Sequence, residues 1–338
     1  MIKFILSLFK SSCKCKDAGL TYSPFNCSLS GQTGIQGIRG VTGSSDVYVS
    51  GTLNVGGGNA LGLIYKGPLS HNSSLGQWYT FTYTQSGVDD VINTSCYGPN
   101  NFGSGVEFVG SYKRTSTGKG ALGCLYQGPL DGSGTWTNVV PNGGATKNVY
   151  VHSLMGGYAV GNYDTKLDNG FAFIYDIQNK SFEYIVAPNA LTTTLYGIWH
   201  NGNTSYTLVG GYSQKELGDA SQAFIADWDS STKALTNFKA YQGFNSKVDS
   251  LVTHFEGITL GCDGYNVAAG DANKTEGGAA FVNIKRNKDG SFGEAIWTQL
   301  KYPDNNVQMI TSDTVYQKNV LGLMLSKAGM ASYLVQIK

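Results

Sequence analysis

The chain has 338 residues, 41% of them hydrophobic, so it can bury a large core and is not a disordered polymer. Only 14% of residues are charged, the formal net charge is +1, and no run of Lys or Arg is long enough to neutralise a row of phosphates, so no nucleic-acid partner is expected. Forty-six glycines and 21 tyrosines, without the long Leu/Ala/Glu/Lys windows of amphipathic helices, set the expectation of short strands joined by tight turns.

The first ten residues, Met1 to Lys10, join a cation to a short apolar run broken at Ser7. The run is too short to span a bilayer and lacks the small-residue cleavage site of a secretory signal, so no integral membrane span is expected. Cys13, Cys15 and Cys27 follow. The one-residue gap between Cys13 and Cys15 does not match a zinc knuckle and no His is near, so these three are read as disulfide candidates, linking copies of the chain, and not as metal ligands. Gly31, Gly34, Gly37, Gly40 and Gly43 then recur at period three, the spacing of a collagen triple helix. Four triplets without proline cannot hold a triple helix alone, so the tract is read as collagen-like or as a linker. The expected plan is an apolar, Cys-bearing tail over 1–30, the glycine tract over 31–45, and a repeat domain over 46–338.

The repeats are clearest in Ala60–Leu69 (ALGLIYKGPL) and Ala121–Leu130 (ALGCLYQGPL), identical at seven of ten positions and each followed by a strand opening on Trp78 or Trp136. Looser copies begin at Phe171, Ala223 and Ala280, and a partial one, Ser332–Ile337, ends the chain. A strand with a Val-Gly or similar pair precedes each copy, as in Phe108-Val-Gly-Ser-Tyr112 and Leu208-Val-Gly-Gly-Tyr212. Four short strands per unit, repeated at about 50- to 60-residue spacing, is the pattern of an all-β propeller. Asp46–Ser50 and Thr52–Val55 read as two further strands before the first copy. The chain therefore has five full repeats plus a split one whose ends would pair to close a ring, and six blades are favoured over five.

The third repeat carries a family resemblance on Gly170-Phe-Ala-Phe-Ile-Tyr-Asp176, Ser181-Phe-Glu-Tyr-Ile185, Pro188, Tyr196-Gly-Ile198 and Leu208-Val-Gly-Gly-Tyr212. It resembles the HAF-type extracellular β-propeller-like repeats over roughly 170–213, with Trp199 and His200 where that family usually has Asn. The resemblance implies an exported β-repeat protein and brings no catalytic motif; the tail-plus-head layout adds the expectation of an extracellular place at a cell or virion surface.

Among candidate sites, the loop-facing aromatics Trp78, Tyr97, Trp199, Trp228 and Tyr265 are suited to stack on sugar rings, with Asn and Asp completing hydrogen bonds. His152, His200 and His254 fall near equivalent strands, but their alignment is off by several residues, and no metal site and no cofactor are assigned. Asp131-Gly-Ser-Gly-Thr-Trp136 reads as a hairpin clamp of the Asp-box kind. Carboxylates for glycosidase chemistry are available at Asp89, Asp90, Asp227, Asp229, Glu256, Asp263 and Asp271, none in a recognisable catalytic motif. The sequence thus favours a non-enzymatic, surface-displayed assembly protein, a fibre or appendage subunit that pairs with itself through its tail. A carbohydrate-binding adhesin and a propeller glycosidase are the alternatives.

Overall fold

The structure, a computed structural model, describes residues 19–338 apart from 117, 119, 142–145, 166–169, 216–219, 244–251 and 273–276. Among the described residues no helix is long and apolar enough to cross a membrane. After β1 (Leu20–Pro24) the chain makes a series of antiparallel meanders. The first is β2 (Gln32–Gly40), β3 (Asp46–Gly56), β4 (Asn59–Pro68) and β5 (Gln77–Phe81). The second is β6 (Val91–Phe102), β7 (Gly105–Arg114), β8 (Leu122–Gly128) and β9 (Thr135–Asn138). Next comes β10 (Thr146–Met155), β11 (Tyr158–Thr165), β12 (Phe171–Asp176) and β13 (Ser181–Ile185). Then follow β14 (Thr192–Gly202), β15 (Ser205–Ser213), β16 (Ser221–Asp229) and β17 (Leu235–Tyr241). They lead to β18 (Val252–Leu260), β19 (Gly264–Ala272), β20 (Gly277–Arg286) and β21 (Phe292–Leu300). The last meander opens on a broken strand, β22 (Val307–Ile310) and β23 (Thr314–Tyr316), both paired to β24 (Asn319–Ser326), which pairs with β25 (Gly329–Ile337).

β25 also pairs with β1, Leu20 opposite Ile337 and Pro24 opposite Tyr333, so the two ends of the described chain share one sheet. The first strand of each meander touches the first strand of the next, and β23 touches β2. Sheets standing around one axis with their edges closed in this way form a β-propeller. Both faces of each sheet are covered by a neighbour, so the strands are apolar in long runs; Val106, Phe108, Val109 and Tyr112 of β7 are all buried. Phe81, Phe108, Tyr126 and Trp136 pack as one aromatic cluster between adjoining sheets, with ring centroids 4.9 to 5.5 Å apart.

The repeated motifs each have a local physical cause. In the duplicated segment the Tyr65 hydroxyl donates to the Pro68 carbonyl (3.0 Å) and the Tyr126 hydroxyl to the Pro129 carbonyl (2.5 Å), which fixes the turn into the following Trp strand. Hairpin tips are held by a side-chain oxygen accepting from an amide two residues on: Asp131 from Ser133, Asp229 from Ser231 and Asp289 from Ser291. The glycine of the Val-Gly pairs lies where the innermost strand comes closest. A Cβ added to Gly51, Gly110, Gly161, Gly210 or Gly322 would run into the carbonyl oxygen of Gly34, Ser95, Tyr150, Thr194 or Thr311. Only the meander starting at β18 carries a side chain at this place, Ala269 opposite Phe255. Gly210→Ala is expected to lower the unfolding free energy by about 2–3 kcal/mol, because a backbone carbonyl has no rotamer with which to yield. Chemical denaturation reads this, and a midpoint equal to that of the parent would show that the strands part at little cost.

Several sequence expectations change. The period-three glycines do not form a collagen-like tract or a linker, since Gln32–Gly40 is strand β2, hydrogen-bonded along its length to β3. The expected boundary at 45/46 falls inside a sheet, and Asp46–Gly56 is one strand where two were expected. The structural unit also begins two strands earlier than the sequence repeat. The Val-Gly strand is the second from the axis, and the duplicated segment is the third.

Candidate active site

Five innermost strands break register at the same height, between Ile35 and Gly37, Cys96 and Pro99, Val151 and Ser153, Leu195 and Gly197, and Phe255 and Gly257. The gap between β22 and β23 is the counterpart, since the Thr311 and Asp313 amides donate to Leu323 and Leu321 across it. A bulge leaves one residue out of the ladder and re-aims its side chain. The residues so released are Gln36, Tyr97, His152, Tyr196, Glu256 and Asp313. Each is followed by a small or β-branched residue, because the innermost strands crowd there. A Cβ on Gly98 would lie 2.6 Å from Ser153 Cα, and one on Gly257 would lie 3.0 Å from Thr314 Cα.

Gln36, His152, Tyr196 and Glu256 converge on an axial cavity of about 20 Å³, room for one water molecule. The His152 ring stands 5.5 Å from Tyr97 and 4.6 Å from Tyr196, and its Nε2 pairs with Asn162 Oδ1 at 2.9 Å. Burial pushes His152 down to about 4, so it is neutral at neutral pH. Arg39 also lines this cavity and reaches over the Trp199 ring at 5.3 Å, where burial lowers its pKa to about 10.

Glu256 also faces a larger pocket of about 210 Å³, shared with His254, Asp271 and Asp313. Glu256 Oε1 lies 2.6 Å from His254 Nε2. Burial opposes the imidazolium, but the Glu256 charge and hydrogen bond, with help from Asp271, outweigh it and raise the His254 pKa. Asp313 Oδ2 accepts from the Thr311 hydroxyl at 2.9 Å. Burial first, and the Glu256 charge second, push the Asp313 carboxyl up to about 8. A protonated acid and a His-paired carboxylate therefore face one pocket, the pairing that acid–base chemistry on a polar bond requires. The pocket shares Gly278, Met309 and Ile310 with a 580 Å³ groove lined by Gln299, Lys301, Tyr302 and Gln308.

Most of the aromatics expected to face loops are packing residues. Trp228 is 1% exposed and Tyr265 is buried against Thr207 and Asn201, to which its hydroxyl is bonded. Trp78 lies against Phe25 and Tyr65, and Trp199 against Arg39. Tyr97 alone reaches the axis, and it is buried. Cys27 is a buried free thiol, while Cys13 and Cys15 lie outside the described residues. His152 and His254 flank Tyr196, but His200 stacks on Tyr206 elsewhere. No group of three or more metal-ligating side chains occurs among the described residues. Of the carboxylates, Asp90 is held by Arg114, Asp227 by Arg286 and Asn237, and Asp229 by its own turn. Glu256 and Asp271 reach the pocket. Asp313 was missed by sequence reasoning.

No family model and no curated protein matches this chain. Solved structures of similar layout do. A β-1,2-mannobiose phosphorylase from Listeria innocua is 10% identical over 97% of this chain and 92% of its own, with a TM-score of 0.44. An α-L-arabinanase from Penicillium chrysogenum is 14% identical over 95% and 97%, TM-score 0.48. An α-L-arabinofuranosidase from Fusarium graminearum, with an iminosugar inhibitor, is 13% identical over 94% and 97%, TM-score 0.48. Two expectations are corrected here. The expected fibre or appendage subunit loses its footing because the glycine tract behind it is a strand of the propeller, and the expected absence of catalysis meets a pocket that Asp313 and Glu256 both line.

Proposed function

We propose that the chain is a six-bladed propeller glycoside hydrolase, with Asp313 as the general acid and Glu256 as the carboxylate that activates water or attacks the sugar. The observation that carries this reading is the Asp313 carboxyl, pushed up to about 8 in the pocket it shares with Glu256. Glycosidic cleavage needs one carboxyl that keeps its proton at neutral pH and one that does not. Asp313 can hand its proton to the leaving oxygen, while Glu256 is held in place by its direct contact with His254. The six axial positions, one per innermost strand, support six blades. The HAF resemblance supports an exported enzyme meeting glycans outside the cell.

The test is reducing-sugar release from aryl glycosides and from arabinose-, xylose- and mannose-based oligosaccharides, run beside an Asp313→Asn/Glu256→Gln double variant. Release by the parent and not by the variant is the expected result. Release from none of the panel, or equal release by both proteins, would sink the reading.

A further inference from the structure

Away from the axis, a cavity of about 340 Å³ opens between two neighbouring sheets, lined by Tyr158, Phe182, Glu183, Asp176, Trp228 and Lys233. The Tyr158 and Trp228 rings meet edge to face, centroids 5.0 Å apart at 81°. Lys233 arrives from the β16–β17 hairpin and sets its Nζ 5.4 Å from the Tyr158 centroid and 5.1 Å from the Trp228 centroid. An ammonium over two ring faces is the geometry by which proteins hold organic cations.

Glu183 defines the cation further. Its Oε1 accepts from the Trp228 indole at 3.3 Å, which orients both groups. Its Oε2 is shielded from water, has no hydrogen-bond partner, and lies 3.7 Å from Lys233 Nζ. That distance gives attraction between charges without a hydrogen bond. A primary ammonium held at this distance leaves the Glu183 Oε2 without a hydrogen bond. A quaternary ammonium, which has no N–H to donate, loses nothing. Lys233 is itself 48% exposed and holds φ +61°, a left-handed conformation that a side chain adopts at some cost.

We propose that this cavity binds a quaternary ammonium group, and that the Lys233 ammonium is a tethered occupant which the ligand displaces. The site is separate from the axial pocket and does not depend on the hydrolase reading. The variant to make is Lys233→Gly, since glycine takes positive φ freely and keeps the turn. Lys233→Asn, also tolerant of that conformation, serves if the glycine variant fails to fold.

Choline and tetramethylammonium are titrated against Trp fluorescence, with Trp228→Phe as the blank and 3,3-dimethylbutanol as the uncharged isostere of choline. Removing Lys233 should tighten binding about tenfold, and Glu183→Gln in that background should weaken it about tenfold, in keeping with the strength of desolvated cation–π contacts. Sedimentation with phosphatidylcholine vesicles separates a lipid headgroup from a free ligand as the source of the cation. If neither Lys233 variant responds to either cation, or if the uncharged isostere binds as well as choline, the proposal is wrong.

Discussion

A chain that stops at Ala331 should not fold. The six residues it lacks before Lys338 are the body of β25, the strand that lies between β24 and β1. Tyr333, Leu334, Val335 and Ile337 are all buried. Burial of four such side chains contributes about 6–12 kcal/mol, on the scale of about 1.5–3 kcal/mol each. The net stability of a whole domain is only about 5–15 kcal/mol. Ser332 adds a tie that apolar area does not count. Its hydroxyl accepts from the Ile35 amide at 3.0 Å and donates to the Thr33 carbonyl at 2.9 Å, joining the last sheet to the first. Circular dichroism and size exclusion of the truncated chain should show an expanded or aggregated species. A cooperative melt within a few degrees of the parent would mean that closure through β25 contributes little.

Asp313→Asn should nearly abolish turnover while making the protein more stable in mild alkali. Loss of a general acid costs about 100- to 10,000-fold in rate. The parent should lose activity above pH 8, about tenfold per unit, as Asp313 gives up its proton. The stability effect follows from the same proton. An aspartate in the unfolded chain ionises near pH 4 by its ordinary pKa of about 3.9, whereas Asp313 in the folded chain holds its proton to about 8. Between these values the folded state binds the extra proton, so stability falls as pH rises through that window and levels off above it. Asparagine fills the same space and cannot ionise. At pH 8–9 the variant should melt roughly 2 °C or more above the parent, at about 2–4 °C per kcal/mol for a domain of this size class. If the variant instead melts lower at pH 9 than the parent, Asp313 is an ionised structural partner and not a stored acid.

The repeats and the strand order were legible in the sequence because they rest on patterns a single chain displays, the Tyr-x-Gly-Pro turn and the Val-Gly pair. The closing partner was not: the split repeat was expected to pair 332–337 with the strands at 46–55, whereas β25 pairs with β1, inside the segment read as a tail. The axial residues were not, because a bulge is a relation between two strands and leaves only a short, loose trace in either alone. A signal does exist in retrospect: Gln36-Gly-Ile, Tyr196-Gly-Ile and Glu256-Gly-Ile share one frame, and Tyr97-Gly-Pro, His152-Ser-Leu and Asp313-Thr-Val are its looser copies. The first of these was hidden because Gly37 also belongs to the period-three run. The exposure of Trp228 and Tyr265 was misjudged for a different reason. Each sits on a strand whose two faces are both covered, so position along the strand says little about access to water.

The pairing of β1 with β25 also sets the order of events at the ribosome. Leu20 must wait for Ile337, and at 5–20 residues per second the delay is roughly 15–60 s. Throughout that time the first-made strand has no partner, and its unpaired N–H and C=O groups are open to any extended peptide nearby. Slowing elongation late in the message would lengthen this exposed interval, and a chain released early would keep its sticky edge for good.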